Sequence, residues 1–294
     1  MNLVILVQLI IAGSAMGFIY GLVALGINLI YNATGGLNFA QGGFVMLGAY
    51  FGVTFTFFIR FPNLIGYIVA IIGMALVGAI FGYLVYEPLR FASPRMFLIA
   101  AIGARTFLEE GAQLIWGKIP FAVPRFISTP MIQKGVLILD TQNLIIIVTS
   151  IIVLLILYML FTKTRLGLMM RAVGQDKEIS SLMGIRIRRI IRLTFAFSIA
   201  LAGVGGILVS PLFYVSPGIS GIMIKAIAAG VIGGFSPRIY GVVVGGLMVG
   251  LVETLAAFFI SSSYRDAWAF LFLILVLLVK PWGFFGTEEV GEKA

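Results

Sequence analysis

Apolar runs of membrane-spanning length recur along nearly the whole chain, and they restrict its fold more than any other feature. About 20 apolar residues are enough to cross a bilayer as a helix. The chain is 61% apolar over 294 residues, with a mean hydropathy of +1.14. A soluble chain averages roughly 45–50% apolar. These runs imply an all-α, polytopic membrane helix bundle, organised as a single domain over 1–294.

Reading the runs between breakers predicts helices at Leu3–Ile30, Phe39–Ile59, Leu64–Tyr86, Met96–Trp116, Asn143–Phe161, Ile191–Val215, Ile222–Gly234, Ile239–Ile260 and Ala267–Val279. The seventh and ninth are short. A thirteen-residue helix covers only about 20 Å of a hydrocarbon core roughly 30 Å thick. Such a piece needs protein or water, rather than lipid, at its ends. The expectation is eight or nine spans, with nine crossings favoured over eight plus a re-entrant Ile222–Gly234. The first run lacks the basic start of a signal peptide and is too long for one, so it is read as a mature helix.

The basic residues set a direction. With the loop 162–190 placed in the cytoplasm, that side receives Arg90, Arg95, Lys163, Arg165, Arg171, Lys177, Arg186, Arg188, Arg189, Arg192, Arg238, Lys280 and Lys293. The outside receives Arg60, Lys118, Arg125, Lys134 and Arg265. This bias puts the N-terminus outside and the C-terminus in the cytoplasm. The largest outer loop, 117–142, carries Pro120, Pro124 and Pro130 and is expected to run irregularly.

Several function classes drop out. Cysteine and histidine are both absent, which removes disulfides, thiolate metal sites, the usual general base and the commonest metal ligand. The net charge of +9 lies between apolar segments and sets topology instead of marking a nucleic-acid partner. No triad, metal cage or nucleotide loop is present, so the chain is expected not to be an enzyme and to bind no cofactor itself.

Glycines cluster near 35–48, 203–206 and 230–250, where small residues let helices approach closely. Two of these clusters break helices beside polar groups, as transporters do where they build sites and joints. Asn38, Gln41, Gly42, Gly43, Gly233 and Gly234 are therefore candidates for a translocation pathway, with tight packing and helix capping as the plainer readings. Ionisable residues inside spans are the other candidates. Arg105 and Glu109 are four apart on one helix face and can neutralise each other, with Glu110 adjoining. Lys225 is placed to snorkel. Glu253 has no partner near in sequence and must protonate, find a base or face water.

The polar exception is the loop 162–190, which holds seven of the twenty Lys and Arg residues. Ala172, Ile179, Leu182 and Met183 fall on one helical face. Asp176 and Glu178 favour a helix start, and Gly184 suits the position just past its end. Arg171 lies at the front of this piece, and Arg186, Arg188 and Arg189 follow it. Such a helix can dock into a groove on a cytosolic protein or lie on the lipid interface.

The stretch RAVGQDKEISSLMGI in this loop resembles the cytoplasmic coupling motif of ABC-importer permeases. Further stretches extend the likeness over nearly the whole chain: 13–50, TFAFSIALAGVGGIL at 194–208, AAGVIGGF at 228–235, ISSSYRDAW at 260–268 and KPWGFFG at 280–286. Together they resemble the smaller, H-type permease of high-affinity branched-chain amino acid uptake systems. One departure stands out: the general motif opens with an acid and two alanines, where this chain has Met170, Arg171 and Ala172. The resemblance implies a cytoplasmic (inner) membrane location and a second, M-type permease. It further implies two cytosolic ATPase subunits holding ATP and Mg, and an external binding protein delivering leucine, isoleucine or valine. Urea, short amides or another amino acid are the same-family alternatives, and an ion-coupled secondary carrier is the alternative from another class.

Overall fold

The computed structural model describes residues 3–126, 131–134, 137–235 and 239–286. Pro130, Arg238 and Lys293, which figure in the sequence reading, lie outside these residues. The helices are α1 (Leu3–Thr34), α2 (Gln41–Val53), α3 (Asn63–Phe81), α4 (Glu87–Leu89), α5 (Pro94–Trp116), α6 (Thr141–Lys163), α7 (Arg165–Gln175), α8 (Lys177–Leu182), α9 (Ile187–Val209), α10 (Ile222–Gly233), α11 (Ile239–Phe259) and α12 (Arg265–Val279). Turns of π-helix prolong α2 to Phe58 and α3 to Tyr86, and a 3₁₀ turn, Pro217–Gly221, leads into α10.

Each of the nine helices expected from the apolar runs is present. Six segments are long and apolar enough to cross a membrane: Val4–Thr34, Gln41–Phe58, Asn63–Leu89, Thr141–Lys163, Ile187–Val209 and Ile239–Phe259. The protein is an all-α, multi-pass membrane helix bundle.

Two expectations need correction. The outer loop is not wholly irregular, because Met131–Lys134 (β1) pairs antiparallel with Leu137–Asp140 (β2). Four-residue strands are invisible in a search for runs of membrane length. The sixth apolar run also stops early: α9 ends at Val209, and Val215 instead exchanges backbone hydrogen bonds with Phe121. Pro211 lacks the N–H that a continuing helix needs.

The helices alternate in direction. Gly13, Gly17 and Gly21 of α1 face Gly250, Leu247 and Val243 of α11, an antiparallel seam. A Cβ at Gly17 would sit 2.7 Å from the Leu247 Cα, so the two backbones approach too closely for any larger residue. Gly233 and Gly245 put α10 antiparallel to α11, against Gly241 and Ala229 respectively. α10 therefore runs parallel to α1 and does not turn back on itself. α9 runs parallel to α2, with Gln41 beside Ser198 and Gly48 against Gly203. It runs antiparallel to α3, whose Met74 and Gly78 meet Gly203 and Phe195. The shared core centres on α1, α2 and α9 and is filled by large apolar side chains such as Phe44, Tyr50 and Phe195.

Candidate functional site

Three places carry the candidate residues. The first is the loop between α6 and α9. Thr164 caps α7 by accepting from the Gly167 N–H, and Asp176 caps α8 by accepting from the Glu178 and Ile179 N–H groups at 2.8 and 2.9 Å. Gly184 follows α8 with φ +80°, a left-handed conformation that glycine adopts without a Cβ penalty. This much follows the sequence reading, but the single amphipathic face does not. Asp176 is extended (φ −152°, ψ 119°) and separates α7 from α8, so Ala172 is not on the helix that carries Ile179, Leu182 and Met183. Helical spacing counted through residue 176 fails because its side chain ends one ladder by starting the next.

The two helices have different surroundings. On α7, Met170 and Val173 are buried, Ala172 is half-buried, and Arg171 is exposed beside a crevice lined by Asn28, Asn32 and Thr194. α8 projects outward: Ile179 is 60% exposed, Leu182 87% and Met183 78%. Glu178 is exposed on the same helix. The base of α8 is tethered to the end of α1, since Lys177 Nζ donates to the Thr34 carbonyl at 3.3 Å. Lys177 is exposed as a residue, but partial burial of its amino group lowers its pKa from the ordinary lysine value.

The second place is the polar cluster at the start of α2. Gln41 is fully buried and donates to the Ser198 carbonyl at 3.1 Å, while the Ser198 hydroxyl donates to the Gly26 carbonyl at 2.7 Å. Asn38, also buried, donates to Gln41 Oε1 at 3.4 Å and accepts from the Ala40 N–H. These amides are occupied by one another and by backbone. Gly42 and Gly43 make room for Ser220 and Leu108, so both serve helix crossings. Gly233 meets Gly241, and Gly234 closes α10 in the left-handed conformation at φ +87°. The glycines thus sit at contacts between helices and at turns.

The third place is the set of intramembrane charges. Arg105 Nε donates to Glu109 Oε1 at 2.7 Å, and its guanidinium also donates to the Ser220 hydroxyl at 2.9 Å. Glu253 has no exposed surface. It accepts from the Tyr20 hydroxyl and from Lys225 Nζ, both at 2.8 Å, and Arg265 Nε lies 2.6 Å from the same oxygen that Lys225 meets. The Arg265 approach is an ion pair whose N–H is not aligned for a hydrogen bond. Lys225 has a second acid, Asp266, at 2.7 Å. Of the three fates open to Glu253, the structure shows the basic partner. These partners come from α1, α10 and α12, and helical spacing cannot reveal pairs 28 and 233 residues apart.

Glu253, Lys225, Arg265 and Asp266 border a cavity of ≈ 510 Å³ whose other walls include Met16, Phe213, Ile219 and Phe270. Sequence reasoning did not bring Tyr20, Asp266, Ser198 or Ser220 into any site. Only Asp266, acidic beside Arg265 at the head of an apolar run, left a signal. Among the described residues no group of three or more His, Cys, Asp or Glu could hold a metal ion.

Comparison with known proteins agrees with the architecture. The family model "Branched-chain amino acid transport system / permease component" matches residues 9–279. The high-affinity branched-chain amino acid transport system permease protein LivH of Escherichia coli K12 is 36% identical over 154 residues. That match spans about half of each protein, 52% of this chain and 50% of LivH. The corresponding permease protein BraD of Pseudomonas aeruginosa is 33% identical over 298 residues, covering 96% of both chains. A probable branched-chain amino acid permease LivH of Methanocaldococcus jannaschii is 28% identical over 163 residues, about half of each chain. With a family match over nearly its full length and a relative aligned over 96% of both chains, the chain belongs to the permease component family of branched-chain amino acid transport systems.

Proposed function

We propose that this chain is one of two permease subunits of an ATP-driven importer and forms, with a second permease, the pathway for leucine, isoleucine and valine. The observation that carries this reading is α8, a short capped helix whose apolar residues Ile179 and Leu182, with Met183 at its C-terminal end, lie open on the loop richest in charge. Three large apolar side chains held outward on a polar loop suit an apolar groove on a partner. A cytosolic ATPase subunit is the partner assigned here, one on each permease, with an external binding protein delivering solute at the opposite face. ATP and Mg belong to the ATPase subunits, and this chain contributes no catalytic residue.

The tethers of α8 give the coupling a physical route. Displacement of α8 pulls on the α1 terminus through Lys177 and Thr34, and the preceding helix α7 meets α1 as well, where Gly174 lies against Asn32. α1 carries the glycine seam to α11, and α11 the second seam to α10. Gly42 and Gly233 sit at further close backbone contacts, with Gly43 and Gly234 beside them, and at these joints the helices would shift relative to one another in alternating access. Asn38 and Gln41 would anchor the foot of α2 during that motion.

Leu182→Asp tests the assignment, because it places a charge on the side chain most exposed on α8 without touching the core. Co-purification of the ATPase subunits with the permease pair should fall severalfold, and ATP-driven leucine uptake in vesicles should fall with it. Assembly and uptake at the wild-type level would defeat the coupling role. Uptake that persists without ATP but collapses with ionophores would replace the importer by an ion-coupled carrier.

A further inference from the structure

The cavity beside the α11–α12 turn holds four charges to which the coupling route gives no task. Lys225, Arg265, Glu253 and Asp266 sum to zero. Glu253 is sealed, whereas Asp266 stands 75% exposed at the rim and Arg265 is about one-third exposed. The same cavity is lined by the apolar side chains of Met16, Phe213, Ile222 and Phe270. The volume, ≈ 510 Å³, falls within the roughly 300–1,000 Å³ of small-molecule sites.

The charge balance selects the ligand. A solute with net charge would bring an uncompensated charge into a recess of low dielectric, at high cost. A pure hydrocarbon would leave the charged rim with nothing to exchange. A zwitterion with an aliphatic arm can substitute for existing ion pairs one for one. We propose that this cavity is an outer subsite for an aliphatic α-amino acid. Its carboxylate faces Arg265 and Lys225, its ammonium takes Asp266 from Lys225, and its side chain lies on the Phe213–Phe270 wall. Glu253 stays in place as the fixed counter-ion that orients both bases, with Tyr20 donating to it. The inference rests on the transport reading above and deepens it, by placing a solute station on this subunit.

The chain has no cysteine, so a single introduced thiol reports without background. Ser216 lines the cavity. Ser216→Cys in the assembled, reconstituted transporter should react with a membrane-impermeant maleimide from the outer side, and leucine should slow that reaction severalfold. Isopentylamine and 4-methylpentanoate, which each lack one of the two charges, should not protect at the same concentration. Adding Asp266→Asn, a change at a mostly solvated side chain, should abolish protection by leucine while the complex still assembles. Equal protection by the amine or the acid would overturn the zwitterion assignment, as would labelling from the cytoplasmic side alone. If the complex transports leucine while labelling ignores it, the subsite falls and the transport reading stands. If vesicles take up a different solute and no branched-chain amino acid, both fall.

Discussion

A carboxylate with no exposed surface, Glu253 depends on groups from three other helices: the Tyr20 hydroxyl, the Lys225 ammonium and the Arg265 guanidinium. Removing one partner from a buried ion pair strands the other charge, at about 3–5 kcal/mol, whereas a lost hydrogen bond to a charged group costs about 1.5–3 kcal/mol. Lys225 keeps Asp266 when Glu253 is lost, so the lower part of the first range applies. Glu253→Ala should therefore lower thermal stability in detergent by about 3 kcal/mol. Tyr20→Phe should cost less, about 1.5 kcal/mol. If Glu253→Ala melts with the parent, or Tyr20→Phe is the more damaging, the network is not what joins these helices. Arg105 and Glu109 were legible as a pair because four residues on a helix is a fixed distance. Glu253 was legible only as a problem. Its partners depend on which helices pack together, and no local spacing encodes that.

At the scale of elements, hydrophobic length carried most of the information. The apolar runs located the nine long and intermediate helices, because each must either cross or line the membrane whatever its neighbours do. What escaped was set by local competition. The apolar face drawn through Ala172, Ile179, Leu182 and Met183 ran on across Asp176, although that acid was itself a helix-start signal: its carboxylate bonds the Glu178 and Ile179 N–H groups and so starts a new helix. The same bonds make α8 testable. A lost N-cap costs about 0.5–2 kcal/mol, and a six-residue helix has little else to hold it. Asp176→Ala should raise amide exchange over 178–182 severalfold, leave α7 protected by its own Thr164 cap, and weaken ATPase co-purification less than Leu182→Asp does. Unchanged exchange at 178–182 would show that something other than Asp176 orders α8. The β1–β2 hairpin escaped for a different reason: strands of four residues carry no membrane-length signal and are specified by pairing.

For the whole molecule, the helix directions decide which segments share an end of the bundle, and the basic residues are what assign that end to a side. One end of the bundle gathers the close of α1 at Thr34, the base of α8 at Lys177, and the turn after α10, where Tyr31 and Phe235 rings lie 5.3 Å apart. Gly234 at that turn also packs against Gly286, so the last described residues lie there too. The opposite end gathers the Phe121–Val215 bridge and the α11–α12 turn beside Arg265. Had α10 turned back, α11 would run parallel to α1 and Gly13 could not meet Gly250 while Gly21 meets Val243. Assigning the end rich in arginine to the cytoplasm puts α8 within reach of an ATPase and the charged cavity on the outer side. The absence of cysteine again permits a direct reading. Ser181→Cys on α8 and Tyr240→Cys at the start of α11 should react with an impermeant maleimide only in inverted vesicles, and Ser262→Cys in the α11–α12 turn only in right-side-out ones. Ser181 reacting from outside would reverse the molecule and remove the ATPase from its proposed dock. Ser181 and Ser262 reacting from one side would break the alternation of helices itself, since an odd number of crossings must separate them.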